Sequence, residues 1–359
     1  MADKPLGEAG AQLLPASVFE GSPAKANPNR RDVAGGFPLA GADGRAGITE
    51  RLVVAAPWII AGGVLVYAFA TGGYFASIVL FALIYSIFVI GLNIFMGLAG
   101  QASFGHNAFA ALSGYTSAVL TTTYSWEPIA ACGVGLGLAL ILALLVGWPI
   151  LRLKGQYLAM ATLAIGLIVY EVAVEWQSVT QGYMGISGIP PLGFAGYEIT
   201  SDQGKLVFMV IVVGLATLAA ARIRDSRFGR ALLAVAGSED AARALGINIT
   251  RYKLAAFVVS AGYAALAGSL FVHVVEFVSP EVYGLNMVIL AFTMLFVGGA
   301  GTIGGPVIGA MIISLLPAIF RNLRDYQDMF YGVGLILLLI YAPKGLAGLG
   351  AIFSRKGKQ

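Results

Sequence analysis

The stretch "RDSRFGRALLAVAGSEDAARALGINITRYKLAAF" occupies residues 224–257. It carries Arg224, Arg227, Arg230, Arg243, Arg251 and Lys253 inside a chain that is otherwise largely apolar. Its Ala and Leu content favours helix. Within it, "SEDAARAL" begins with Ser238, a good N-cap. Glu239 and Asp240 then fall in the first turn, where carboxylates meet the positive end of the helix dipole. Arg243 follows, and Gly246 after Leu245 is a C-terminal stop. These signals predict a short helix over 238–246, bounded at both ends. What such a helix does depends on what surrounds it.

The surroundings are those of a membrane protein. The chain has 359 residues, 58% hydrophobic and only 11% charged. A soluble domain carries about 25% charged residues. The 48 glycines suit closely packed transmembrane helices. A net charge of +4 is small for a nucleic-acid binder, and no nucleic-acid motif is present. Cys132 is the single cysteine, so no disulfide forms within the chain. Two His and one Cys, far apart, support no metal site. Residues 1–50 differ from the rest: rich in Gly, Ala and Pro, with five basic and six acidic side chains. They lack a basic segment followed by an apolar one, so no signal peptide is read there. They read as a disordered tail.

A membrane span needs about 20 mostly apolar residues. Ten segments qualify: 53–70, 74–95, 104–122, 129–151, 157–174, 205–223, 251–273, 283–298, 304–320 and 329–342. Those at 104–122 and 304–320 begin in Gly-rich polar stretches, which fits broken or re-entrant segments. The expected fold is an all-α integral membrane protein, a polytopic bundle of about 8–10 transmembrane helices with a cytoplasmic coupling helix. The membrane body runs over 51–350, with a basic tail at 351–359. With both termini in the cytoplasm, the inner side collects Arg152, Lys154, Arg222, Arg224, Arg227, Arg230, Arg243, Arg251, Lys253, Lys344, Arg355, Lys356 and Lys358. The outer side holds only Lys205, Arg321 and Arg324. This bias sets the orientation. The connection 224–250 then lies inside and the long connection 175–204 outside.

The charged segment is therefore a cytoplasmic loop between two spans. Ala241, Ala242 and Leu245 form one small apolar face of its helix. Such a face fits a groove on a partner protein, or equally the surface of the membrane.

At this point a resemblance enters. "EDAARALGI" at 239–247 resembles the EAA-type loop of importer-type ABC permeases, and "SRFGRALLAVAGSEDAARALGINITRYKLAAFVVSAGYAALAG" resembles permeases of the branched-chain amino acid ABC importer family. So do "GLAGQASFGHNAFAALSGYTSAVL" at 97–120, "GISGIPPL" at 185–192 and "GGAGTIGGPVIGA" at 298–310. The likeness covers roughly 75–350 and points to the longer of the family's two permease types. Gln181 and Tyr183 depart from the Gly- and Asn-rich run expected there, and the N-terminal tail is longer than usual. The resemblance implies a second, shorter permease, cytoplasmic ATP-binding subunits, an extracytoplasmic solute-binding protein and a bacterial inner membrane. It implies that Gly229, Glu239, Ala241, Ala242, Leu245 and Gly246 serve the contact with the ATPase. Branched-chain amino acids are the implied solutes; related permeases carry urea, short amides or other amino acids.

The chain itself contains no G-x-x-x-x-G-K-[ST] phosphate loop. It is expected to bind no cofactor and to be no enzyme, with ATP used by partner subunits. Candidate residues for the solute path are Gln101, Ser103, His106, Asn107, Tyr115, Ser187 and Thr302. A helix starting near Asn107 would aim its amides at a carboxylate. The same residues also fit a plain membrane-edge turn, with His106 as a hydrogen-bonded structural residue. Glu171 and Glu175, like His273 and Glu276, read as wetted outer helix ends. An intramembrane serine protease is a weak rival, since Ser187 in "GISG" precedes Ile189, Pro190 and Pro191 in an outer loop. An ion-coupled secondary transporter needs ionisable groups buried mid-span, and the apolar segments hold almost none.

Overall fold

A computed structural model of the chain describes residues 48–194 and 197–319. Nine of the ten expected segments are helices: α1 (Ile48–Thr71), α2 (Gly73–Asn93), α3 (His106–Thr122), α4 (Pro128–Ile150), α5 (Gln156–Glu175), α7 (Asp202–Asp225), α10 (Ile249–Val275), α11 (Leu285–Gly298) and α12 (Gly305–Ile319). Their boundaries follow hydropathy, since a helix is the one element that satisfies its own backbone in lipid. The segment 329–342 and the tail at 351–359 lie outside the described residues, as does the expected tail over 1–50 up to the start of α1 at Ile48. The connections hold three further helices: α6 (Gln177–Thr180), α8 (Arg227–Gly237) and α9 (Glu239–Ala244).

The bundle has a centre and a rim. In α2 and α10, 72% and 67% of the most apolar stretch is buried. In α4, α5 and α7 the share is 22–28%. The rim helices expose Leu145, Ile168 and Leu215, which suits lipid or a partner. The centre is built from α2, α3 and α10, and its helices cross closely because the side chains at the crossings are small. A Cβ on Gly268 of α10 would lie 2.7 Å from Ala110 Cα of α3. Without a hydrophobic drive between helices in lipid, close packing of this kind supplies the association energy. Aromatic rings fill the remaining centre, with Phe257 5.2 Å from Phe95 and 5.4 Å from Phe109 between ring centroids.

Four helices in the second half start on a side-chain cap. Ser201, Ser226, Ser238 and Asn248 accept from the amides of Gly204, Gly229, Ala241 and Arg251, at the starts of α7, α8, α9 and α10. Each satisfies one amide that its first turn leaves unbonded.

The long connection 175–204, expected on the outer side, contains ordered structure. It contains β1 (Ile186–Ser187), β2 (Gly193–Phe194) and β3 (Tyr197–Glu198). β2 pairs with β3, and β1 pairs antiparallel with β4 (Phe277–Val278) beyond α10. The loop is thereby fastened to the end of α10.

Candidate functional site

Two regions carry the polar chemistry: a break in the helices after α2, and the loop from α7 to α10.

The break begins with a π-helical turn at Ile94–Leu98, in which Ala99 N bonds Ile94 O at 3.3 Å. Wide turns of this kind bend a helix and recur at functional sites. Asn93 anchors the turn from below. Its Oδ1 accepts from Gly301 N and its Nδ2 donates to Thr302 O, both at 2.7 Å. The Gly-rich turn between α11 and α12 therefore packs on this break, and at Gly97 a side chain would overlap Asn93 and Gly301. Residues 99–105 are non-helical, with Gly100 at φ 66°. Their backbone finds partners in protein: Phe104 N bonds Thr162 Oγ1 of α5 at 3.1 Å. At Gly105 a Cβ would overlap the Thr162 carbonyl oxygen. Such satisfaction is what lets irregular backbone persist in a membrane.

His106 opens α3 and is 2% exposed. Its Nδ1 lies 3.0 Å from Ser103 Oγ and its Nε2 lies 2.6 Å from Ser260 Oγ of α10. Ser260 gives its single proton to Gly91 O, also at 2.6 Å. Its oxygen is then free to accept from Nε2–H, while Nδ1 accepts from Ser103. A neutral imidazole thus uses every proton, and neither nitrogen is open to a solute. Asn107 donates from Nδ2 to Tyr283 O at 2.8 Å. Tyr283 also stands 6.1 Å from the Tyr115 ring and donates its hydroxyl to Gly268 O at 3.0 Å. Among the described residues, Asn107 Oδ1 and Tyr115 OH are the two buried side-chain polar atoms left without a hydrogen bond.

The other path candidates do not join this group. Gln101 lies in the break, its Nε2 donating to Ala99 O at 3.2 Å. Ser187 is exposed on β1 at the other end of the bundle. Thr302 closes the turn before α12, with Oγ1 bonded to Gly299 O at 2.7 Å and accepting from Gly305 N at 3.1 Å. Glu171 and Glu175 are exposed, as a wetted helix end requires. His273 is not: it is fully buried, bonding Ser117 Oγ at 2.7 Å and Pro190 O at 2.8 Å. The 175–204 connection folds back over it. Glu276 pairs with Lys205 at 2.7 Å, and the same ammonium bonds Val274 O at the last turn of α10. Lys205 thus caps a helix C-terminus.

The loop from α7 to α10 contains two helices where the sequence predicts one. α8 is capped by Ser226, and Gly229 is its buried elbow: a Cβ there would overlap the carbonyl oxygens of Ile223 and Arg224. α9 covers Glu239–Ala244, shorter than the expected 238–246. Gly246 takes φ 81°, and Ile247 N bonds Ala242 O at 3.1 Å. The expected apolar face needs correction. Ala242 turns inward, 1% exposed, against Val235 and Ile249. Ala241 is exposed and Leu245 is 79% exposed. Glu239 does not project freely either, because its Oε1 meets Lys253 Nζ at 2.5 Å. The outward surface of α9 and its C-cap is therefore Asp240, Ala241, Arg243, Ala244 and Leu245.

The two regions face each other. Gly100 packs on Ala236, where a Cβ would come within 3.2 Å of the Ala236 Cα. Between them a cavity of about 660 Å³ opens, with Gly100, Gln101, Gln156, Ala236, Ser238 and Glu239 among its walls. Asn93, Ser260, Tyr283 and Lys253 stand outside the sequence-based candidates. For Asn93 and Ser260 a signal existed, a polar side chain inside an apolar span.

Comparison with known proteins places this geometry. The family model described as "Branched-chain amino acid transport system / permease component" matches residues 74–341. The chain is 30% identical over 336 residues to the high-affinity branched-chain amino acid transport system permease protein LivM of Salmonella typhimurium, covering 86% of this chain and 77% of that one. It is 28% identical over 287 residues to the corresponding LivH of the same organism, covering 74% and 91%. A probable LivM of Methanocaldococcus jannaschii is 26% identical over 281 residues, covering 71% and 78%. No solved structure matches. Helices, break and match coincide over the same stretch, and the chain belongs to the branched-chain amino acid transport permease family, with the longer, LivM-type relatives matching over more of it.

Proposed function

We propose that the chain forms part of the membrane path of an importer for branched-chain amino acids, driven by separate ATP-hydrolysing subunits that dock on α9. The observation that carries this reading is Leu245, 79% exposed at the tip of a short helix capped by Ser238 and stopped by Gly246. A fixed apolar knob on a short helix fits a groove on a partner. It stands at the end of the bundle that carries Arg222, Arg224, Arg227, Arg230 and Arg251, and that end faces the cytoplasm by the charge rule. Closure of the ATPases on ATP pushes α9, and the push rocks the spans between inward- and outward-open states. The cavity beside α9 is the inner vestibule through which the solute leaves, with Gln101 on its wall. Asn107 Oδ1 and Tyr115 OH, buried and unpartnered on α3, are polar atoms that opening of the bundle would offer to a passing amino acid. A second permease completes the path. A solute-binding protein delivers to the outer end, and the whole resides in a bacterial inner membrane. Among the described residues no buried Asp or Glu occurs, which supports drive by ATP over drive by an ion gradient.

The test is to purify the chain with its native neighbours and identify what accompanies it by mass spectrometry. The expected result is a second permease and a cytoplasmic ATPase, with ATP-dependent uptake of leucine, isoleucine or valine after reconstitution. Recovery of the chain alone, active without ATP, overturns the reading. Uptake of urea or an amide in preference to leucine corrects the solute only.

A further inference from the structure

We infer that Lys253 is the positioning residue that makes α9 and α10 one lever, and that Glu239 is engaged by this internal pair and not by the ATPase. The inference rests on the docking role proposed for α9. Glu239 is the first residue of α9, and Lys253 lies in the second turn of α10. Their charged atoms meet at 2.5 Å, with the side chains 26% and 3% exposed. The other described ion pair on this loop, Arg243 to Asp240, lies within α9 and is 61% and 91% exposed, so it fastens α9 to nothing. Taking an ammonium out of water is costly, and an apolar pair of similar size stabilises as well or better. The pair is therefore not explained by stability. It does fix position: the charge contact at Glu239 and, one turn along the same face of α9, the small contact of Ala242 with Val235 and Ile249. Two turns further along α10, Ser260 grips Gly91 O and His106. A displacement of α9 then reaches the break at 99–105 through a single rigid helix.

The experiment uses the whole importer, reconstituted with its ATPases, second permease and binding protein, and reads leucine transported per ATP hydrolysed. Lys253→Met should lower that ratio about tenfold, within the roughly 5–150-fold range of coupling between sites. ATPase subunits should still co-purify. Lys253→Arg should keep the ratio, and the exchange Glu239→Lys with Lys253→Glu should recover most of it. Glu239→Gln with Lys253→Met leaves no charge unpaired, so it folds where a single variant fails, and it should show the same loss. An unchanged ratio in that double variant overturns the inference, as does an exchange variant that assembles but recovers nothing. Loss of the ATPase from the unaltered complex overturns instead the docking role beneath it.

Discussion

Substituting Gly268 by Ala tests the centre of the bundle most directly. The new Cβ would lie 2.6 Å from the carbonyl carbon of Ala110 and 2.7 Å from its Cα. Carbon atoms rest at about 3.5–4.0 Å. Both partners are backbone, so no rotamer change relieves the overlap, and α3 and α10 must separate by about 1 Å. Two side-chain contacts bridge that crossing: Ser113 to Ser269 at 2.5 Å and Ser117 to His273 at 2.7 Å. Overpacking costs about 1–3 kcal/mol. Each polar contact between membrane helices contributes about 0.6 kcal/mol. If both are lost, the total is about 2–4 kcal/mol. The assay is the midpoint of heat-induced aggregation of the purified permease in detergent, with uptake measured alongside. Gly133→Ala and Gly214→Ala are the controls: both sit in helices with nothing within 4 Å of the new atom. They should be neutral or gain up to about 1 kcal/mol from helix propensity. A Gly268→Ala protein as heat-stable as these controls would refute the close-crossing argument.

Three further outcomes follow from the same geometry. Leu245→Asp places a charge on a side chain that is 79% exposed, so the bundle should keep its heat stability while co-purification of the ATPase falls at least about tenfold, read by quantitative mass spectrometry. His106→Gln keeps groups able to bond Ser103 and Ser260 and should cost less than His106→Leu, which strips both bonds and should lose about 1–3 kcal/mol in the same heat assay. Lys205→Met breaks the pair with Glu276, which is 43% exposed, so solvent screening limits the loss to about 1 kcal/mol or less, below the shift expected for Gly268→Ala.

The spans were legible because hydropathy and helix formation are the same demand in lipid, and each predicted segment with described residues lies within a few residues of a helix. The caps were legible for a similar reason: Ser238 and Gly246 act on their own neighbours. What was hidden depended on distance along the chain. Ala241, Ala242 and Leu245 read as one face, but in a helix of six residues a single neighbouring contact sets the phase, and Ile249 and Val235 turned Ala242 inward. Glu239 is separated from Lys253 by the rest of α9, a turn and the first turn of α10, so nothing local announces their pair. His273 resembled a wetted helix end because the loop that covers it arrives from residue 190. The two-residue strands carry too few residues to display a period.

The clasp of Asn93 has a consequence for biosynthesis. Its two partners, Gly301 N and Thr302 O, lie 208 and 209 residues downstream. At about 5–20 residues per second, the ribosome needs on the order of 10–40 s to supply them. During that interval α2 is already made, yet the carboxamide that ends it has no native bond. The first half of the bundle is thus completed by the last part of the described chain, and a nascent chain arrested before Gly301 carries an orphaned amide as the mark of its incompleteness.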